Sequence, residues 1–161
     1  MASYVIPNLP YTFTPDATAC DYTYSDGFKI EFKAGTFAQS TSLTISSPVK
    51  KAFFLRENSS TDKTYIECAG NYYKITRNNG VAPSLKFKVT LPHKAQFTPD
   101  NTLAKFNVYY CDQATVEEDD PGNWHPCEVR SGAPSGGYFA GETLAFGFFM
   151  VAHKVNGRDD Y

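Results

Sequence analysis

The residues of this 161-residue chain that are best suited to nucleophilic chemistry are His125 and Cys127. They stand two positions apart, so on a strand their side chains share one face. A histidine beside a thiol is the arrangement of a cysteine hydrolase, in which the imidazole withdraws the thiol proton. The chain has neither a Gly-x-Ser-x-Gly nor a Gly-x-Cys context for such a nucleophile. We therefore predict a non-enzymatic protein and keep a hydrolase built around this pair as an alternative.

The densest charge in the sequence is the acidic run EEDD at residues 117–120. A calcium loop alternates acids with glycine or asparagine and ends in a distal glutamate, and this run does not follow that pattern. We expect a solvated loop, no bound metal and no cofactor. Asp112 and Asn123 leave one alternative open, which is a weak divalent-cation site formed if the segment folds back on itself.

Four cysteines, Cys20, Cys68, Cys111 and Cys127, are spread over the chain at long and irregular spacings. None of them forms a Cys-x-x-Cys pair, and zinc ligands come in such close pairs. The sequence predicts four reduced, half-buried thiols, as in a reducing compartment. A disulfide between Cys111 and Cys127 is the oxidised alternative.

Net charge and hydropathy exclude two classes of partner. The net charge is −2 and the lysines and arginines are scattered singly, whereas neutralising phosphates needs clustered cations. No run approaches the roughly 20 apolar residues of a membrane span. The first residues lack the charged start and apolar stretch of a secretory signal. We expect a protein of the cytoplasm or of a virion, with no nucleic-acid partner and no membrane insertion.

Tyrosines and one tryptophan are the residues we expect to bind a partner. The chain has 11 Tyr, and several stand in pairs or alternate along predicted strands. Tyrosine offers a large contact area at low entropic cost, and the same rings stack on sugars. The predicted protein- or glycan-binding residues are Tyr22, Tyr24, Tyr73, Tyr109 and Trp124. The alternative is ordinary cross-strand aromatic pairing within the sheets.

Two alternating runs are the main evidence for the fold. In residues 85–92 the apolar side chains of Leu85, Phe87, Val89 and Leu91 fall on one face, which is typical of a half-buried strand. Residues 104–111 repeat the pattern, and the two runs are predicted to be neighbouring strands.

Turn signals separate the other predicted strands by 8–12 residues, which is typical of a β-sandwich. These strands are residues 28–32, 42–46, 51–56, 64–68, 72–76 and 142–152. A turn is predicted at Gly70-Asn71, and the last run, apolar on both faces, is predicted to be the most buried strand. We predict an all-β, antiparallel, immunoglobulin-like β-sandwich over residues 21–155, followed by a polar tail at 156–161.

Residues 1–20 are predicted to form an extended arm, because three prolines interrupt the segment and proline cannot donate to a sheet ladder. The arm either lies along its own domain as an edge strand or reaches onto a partner. Its expected contact residues are apolar, namely Ile6, Leu9, Tyr11 and Phe13.

The order of the segments resembles the β-sandwich domain shared by ankyrins, netrin receptors and tight-junction scaffolds, and its bacterial relatives. The resemblance rests on the runs IEFKAGTF at 30–37, STSLTI at 40–45, VTLP at 89–92 and FNVYYCD at 106–112, with Asn123-Trp124 after them. Lys33 stands where the family commonly has proline. Some members cut themselves at a His-Phe-Ser step, which here corresponds to Ala145-Phe146-Gly147. The resemblance therefore implies a non-catalytic module for protein–protein contacts.

The function predicted from these observations is that of a structural or binding protein in a larger particle, such as a virus or phage capsid decoration or a tail accessory protein. Its expected partners are other protein subunits, and it is expected to form a homo-oligomer. The alternative is a surface adhesion or carbohydrate-binding module that uses Trp124, Asn123 and Asp120.

Overall fold

Two β-sheets packed face to face make up the computed structural model of the chain. The structure describes residues 1–47, 49–50, 54–56, 64–68, 71–92, 106–111, 125–127, 129–133 and 138–156. None of these residues lies in a helix, and accordingly none forms a helix long and apolar enough to cross a membrane. The prediction of an all-β, sandwich-like architecture is confirmed. The strands are β1 Ala2–Val5, β2 Tyr11–Phe13, β3 Cys20–Thr23, β4 Lys29–Phe32, β5 Leu43–Ile45, β6 Val49–Lys50, β7 Phe54–Arg56, β8 Thr64–Cys68, β9 Asn71–Arg77, β10 Phe87–Pro92, β11 Phe106–Cys111, β12 His125–Pro126, β13 Val129–Ala133, β14 Tyr138–Thr143 and β15 Gly147–Asn156.

The first sheet has the strand order β1-β3-β4-β10-β14-β13, and we call it sheet A. Its neighbours pair antiparallel except at one end, where β1 runs parallel to β3. Its strands alternate as the sequence predicts. In β10, for example, Phe87, Val89 and Leu91 are fully buried and the residues between them are half-buried.

The second sheet, sheet B, is built around β15 and has the order β12-β11-β15-β9-β5-β2. Both β8 and β9 pair antiparallel with β15, along the edge opposite β11. The strands β8 and β9 therefore run in the same direction along one edge of β15. The turn predicted at Gly70-Asn71 falls partly outside the described residues, so it stays a prediction. The strands β6 and β7 pair with β9 and β8, respectively.

The core lies between the sheets and is rich in aromatic rings. Phe32, Phe87 and Phe149 form its centre, with the Phe87 ring 5.7 Å from that of Phe32 and 6.3 Å from that of Phe149. All three are at most 2% exposed. Each such side chain stabilises the fold by about 1.5–3 kcal/mol on burial, and this aromatic centre joins the two sheets.

The assignment of the two alternating runs as neighbours is wrong. The strand β10 lies in sheet A between β4 and β14, whereas β11 lies in sheet B between β12 and β15. Alternation shows which face of a strand is buried, and both strands bury one face in the same core from opposite sides. Leu85 was also predicted to point inward, but it precedes β10 and is 41% exposed.

The run at residues 142–152 is two strands rather than one. The chain leaves sheet A after Thr143 and enters sheet B at Gly147, whose φ of +145° lies in the region that favours glycine. The hydroxyl of Thr143 accepts the amide N–H of Ala145 at 3.1 Å and caps this crossover. The part of β15 from residue 147 to 151 is buried throughout, in agreement with the prediction of apolar residues on both faces.

The amino-terminal segment lies along its own domain and belongs to both sheets. Its strand β1 forms one end of sheet A, and β2 pairs with β5 at one end of sheet B. Ile6 and Phe13 are buried in the core, while Leu9 and Tyr11 pack against it. The peptide bond between Leu9 and Pro10 is cis. The four residues expected to be contacts of an arm are thus part of the packing of this domain.

One polar contact joins the sheets at the turn before β4. The buried Tyr73 of sheet B donates its hydroxyl hydrogen bond to the carboxylate of Asp26. The other oxygen of Asp26 accepts the amide N–H of Phe28 at 2.8 Å, and the rings of Phe28 and Tyr73 lie 4.6 Å apart. This carboxylate therefore fixes the turn at Asp26-Gly27 and holds it against the opposite sheet.

Candidate binding surfaces

The predicted aromatic binding residues are mostly interior. Tyr22, Tyr73 and Tyr109 are 3%, 0% and 1% exposed, so their rings cannot be presented to a partner, and the expectation of exposed rings is wrong for these three. Tyr24 is half-buried and packs against the core. Trp124 lies outside the described residues, as do Asn123 and Asp120 of the glycan-binding alternative.

Tyr22 links the aromatic core to the edge of sheet A. Its ring stacks on that of Tyr4 at 5.0 Å and lies 4.3 Å from that of Phe13. Its hydroxyl donates to the backbone carbonyl of Thr14 at 3.4 Å. Burial is the main cause of a strongly raised pKa for this phenol, because the phenolate would lose its hydration.

Stability is therefore expected to depend on Tyr22 at alkaline pH. The unfolded phenol ionises near pH 10, whereas the folded one stays protonated, so the stabilisation is complete below about pH 10 and declines as the pH rises further. Between about pH 8 and pH 11, the unmodified protein should lose about 1 kcal/mol more unfolding free energy than Tyr22→Phe. Urea denaturation at both pH values measures this difference, and parallel losses in the two proteins would contradict it.

Tyr109 is buried on the face of sheet B that points away from the core. It pairs with Met150, which is fully buried, and both alternate with core residues on their strands. On the same face, Phe148 lies under the ammonium group of Lys74, with the Nζ atom 5.2 Å from the ring centroid. The centre of sheet B is thus covered on both faces.

The pair predicted for nucleophilic chemistry does not form an accessible site. Cys127 is 4% exposed and packs in the core, with its backbone N–H donating to the carbonyl of Val108 at 2.9 Å. The imidazole of His125 lies 5.4 Å from the ring of Tyr110, which packs against the same core. A reactive thiol needs solvent access and a stabilised thiolate, and a substrate cannot reach this sulfur in the folded protein.

The thiols of Cys20, Cys111 and Cys127 are buried and reduced. The alternative disulfide between Cys111 and Cys127 is not formed. Cys111 alternates with the core residue Tyr110 and faces away from the core, whereas Cys127 points into it. The two side chains lie on opposite sides of sheet B, and this arrangement separates the sulfur atoms.

The outer face of sheet A carries charges of both signs in register. Across four neighbouring strands, Asp21, Glu31, Lys88 and Glu142 are successive Cα partners. Asp21 is 5% exposed, and its carboxylate accepts the hydroxyl of Ser3 at 3.1 Å. In this described row, the acids on either side of Lys88 offset its charge, so the row lacks the clustered positive charge that binds phosphates.

The ion pairs described on this face are long and partly exposed. The Nζ atom of Lys29 lies 3.5 Å from Glu31, and that of Lys33 lies 3.7 Å from Glu142. Each such pair stabilises the fold by less than about 1 kcal/mol.

A cavity of 260 Å³ opens beside these ion pairs and is lined by charged residues of both signs and by Phe32. We assign it no ligand.

Groups of three or more His, Cys, Asp or Glu side chains with metal-binding geometry are absent from the part of the chain that the structure describes. The acidic run at 117–120, with Asp112 and Asn123, lies outside that part. The alternative of a divalent-cation site there stays a prediction.

Among the residues that the structure describes, two exposed apolar side chains lie on the strand β1, which we call the β1 edge. Val5 is 80% exposed and Tyr4 is 40% exposed. The hydroxyl of Tyr4 donates to the carboxylate of Asp16 at 2.6 Å, and this hydrogen bond is the main cause of a raised pKa for Tyr4. In sheet A as described, β1 is the last strand, so one side of its backbone faces solvent.

The sequence left open an edge strand within residues 1–20 but did not locate β1, because the prolines of this segment led to its assignment as an extended arm. The signal that identifies it is the alternation of residues 2–6. Ala2, Tyr4 and Ile6 face the core side, whereas Ser3 and Val5 face outward.

Comparison with known proteins gives no family assignment. No protein-family model matches the chain, and no curated protein matches it.

Proposed function

We propose that this protein is a non-enzymatic structural and binding protein that acts through protein–protein contacts as a component of a larger particle. A virus or phage capsid decoration or a tail accessory protein is the class of particle component that fits it. The observation that carries the proposal is the β1 edge, an uncharged strand at the end of sheet A whose outer backbone groups face solvent. Exposed strand edges pair readily with strands of other chains.

Two further observations support contacts rather than chemistry. The exposed large apolar side chains include Met1, Tyr4 and Val5 in and beside the β1 edge. Cys127, the nucleophile of the alternative hydrolase, is buried in the core. A neighbouring subunit can thus cover apolar side chains at the β1 edge, whereas the candidate reactive group is out of reach of a substrate.

We also propose that the sandwich is immunoglobulin-like and that it is related to the ankyrin- and netrin-receptor-type domain. In support, the runs that carry the resemblance fall on the strands β4, β5, β10 and β11 in the expected order. Gly35, with φ of +76°, makes the turn after β4. Ala145-Phe146-Gly147, which corresponds to the cleaved step of some family members, lies at the crossover between the sheets and has no hydroxyl nucleophile.

The proposal is tested by sedimentation of extracts from the organism that makes the protein, with an antibody against this chain. The expected result is that most of the protein sediments with a large particle and stays with it in moderate salt, because apolar and backbone contacts are little screened. Protein that remains at the top of the gradient in every extract would contradict the proposal.

A further inference from the structure

The backbone of β1 alternates between hydrogen bonds to β3 and groups that face outward. The amide N–H of Ala2 donates to the carbonyl of Ala19 at 3.2 Å, and that of Ile6 donates to Thr23 at 2.8 Å. In a parallel pair, alternate residues turn their N–H and C=O toward the neighbouring strand. Ala2, Tyr4 and Ile6 therefore face β3, and the backbone groups of Ser3 and Val5 point away from it.

Residues 2–6 lack the features that protect an open strand edge. Natural proteins protect open edges with charged side chains, prolines or bulges. Residues 2–6 contain neither a charged residue nor a proline, and Pro7 comes after the last residue that bonds to β3. In sheet B, by contrast, the edge strand β2 lies between Pro10 and Pro15.

We propose that two copies of this chain pair antiparallel along their β1 edges, about a two-fold axis beside Tyr4. This inference rests on the proposed function and names the partner of the β1 edge as a second copy. The six strands of sheet A in each copy then join into one continuous sheet. The interface is isologous, since the same residues contribute from both copies.

The spacing of the outward groups makes the strand complementary to itself. Ser3 and Val5 stand on either side of Tyr4, so Ser3 lies opposite Val5 of the partner subunit, and Val5 lies opposite the partner's Ser3. Each of these pairs exchanges two backbone hydrogen bonds, as a hydrogen-bonded pair of an antiparallel ladder does. Tyr4 then faces the partner's Tyr4, at the close position between these pairs.

Side chains at this register are compatible with each other. The Tyr4 hydroxyl is bound to Asp16 of its own chain, and its ring stacks on Tyr22, so the ring is already held at the edge. Two facing rings form an aromatic cross-strand pair, which is a favourable pairing. Val5, 80% exposed in one copy, packs across the junction beside the partner's Ser3. No like charges meet within the paired residues.

A cysteine at Tyr4 tests this register. In the proposed dimer, the two Cα atoms at this position lie about 4.5 Å apart, within the range that a disulfide spans. Val5→Cys is the matched control, because its symmetry mate lies at a diagonal position about 7–8 Å away, beyond the reach of a disulfide. Both variants are made in the full chain with Cys20→Ala, so that the new thiol cannot pair with that neighbouring cysteine.

Mild oxidation of Tyr4→Cys is expected to give a disulfide-linked dimer in most chains, and Val5→Cys is expected to give little. Position 5 is the more exposed, so linking by random collision would favour Val5→Cys. Equal or greater linking of Val5→Cys overturns the proposal. The parent with Cys20→Ala alone measures the linking that comes from the other native thiols.

Sedimentation velocity of the unmodified protein provides the second measurement. The mass is expected to rise from one chain to two between about 1 µM and 500 µM, because a single strand pair is smaller than the interface of a permanent dimer. A Val5→Lys variant, which places a charge at the junction, should remain a single chain over this range. A single chain in the unmodified protein at every concentration overturns the dimer, whereas particle association in source extracts tests the proposed function separately.

Discussion

Phe87→Ala is expected to lower the free energy of unfolding by about 3–5 kcal/mol, because it removes a ring from the centre of the core. Phe87 is fully buried, and its ring lies 5.7 Å from that of Phe32, 4.9 Å from that of Phe146 and 6.3 Å from that of Phe149. These neighbours come from both sheets and from the crossover between them, so the surroundings cannot easily collapse into the cavity that is left.

Leu85→Ala is the matched control for this prediction. The alternating sequence pattern treats residues 85 and 87 alike, whereas the structure leaves Leu85 41% exposed. The expected loss for Leu85→Ala is less than about 1 kcal/mol. Denaturation in guanidinium chloride measures both values, provided that the slope of the transition is unchanged. Similar losses for the two variants would mean that β10 starts earlier and that the packing described for its first residues is wrong.

Gly141→Ala is expected to destabilise the protein by about 3 kcal/mol, because the added methyl group has no space between the sheets. A Cβ atom at this position would lie 2.6 Å from the Cβ and 2.9 Å from the Sγ of Cys127, and 3.0 Å from the Cβ of Val108. Gly141 faces the core between Phe139 and Thr143 on β14. The missing side chain thus allows sheet A to approach the β11–β12 end of sheet B.

The test separates this steric effect from backbone strain. Gly35 has φ of +76°, and no atom lies within 4 Å of the position that an alanine Cβ would take there, so Gly35→Ala is expected to cost about 1–2 kcal/mol through strain alone. Combining Cys127→Gly with Gly141→Ala should recover more than about 1 kcal/mol relative to the sum of the single effects. Cys127→Gly combined with Gly35→Ala should lower the free energy of unfolding by the sum of the two single effects. Additivity in both pairs would contradict the proposed clash.

The sequence predicted which faces of the strands are buried but not which strands are neighbours. The alternation around Ile30, Ile45, Val89 and Val108 identifies strands that the structure contains, and all four side chains are fully buried. Alternation is a local property of a strand. The placement of β10 and β11 in opposite sheets depends on packing between residues far apart in the chain, and no local pattern records it.

The candidate surface was predicted less well than the fold. Tyr73 is buried even though its hydroxyl is polar, because Asp26, 47 residues earlier, accepts its hydrogen bond. When the hydrogen-bond acceptor of a buried tyrosine lies far away in the sequence, the local sequence does not distinguish that tyrosine from one at an interface. At the other end of the chain, the prolines correctly indicated interrupted strands but did not reveal that β1 extends one sheet and β2 the other.

The crossover from β14 to β15 has a consequence for synthesis on the ribosome. Each of these two late strands is an inner strand of one sheet. In sheet A, β14 lies between β10 and β13, and in sheet B, β15 lies between β11 and β9. A nascent chain that ends before residue 138 therefore lacks an inner strand in each sheet and leaves the apolar faces of the earlier strands uncovered. Such a topology postpones the stabilising contacts until translation of this region is complete and makes folding slow. Until then the growing polypeptide exposes apolar surface and is expected to be prone to aggregation.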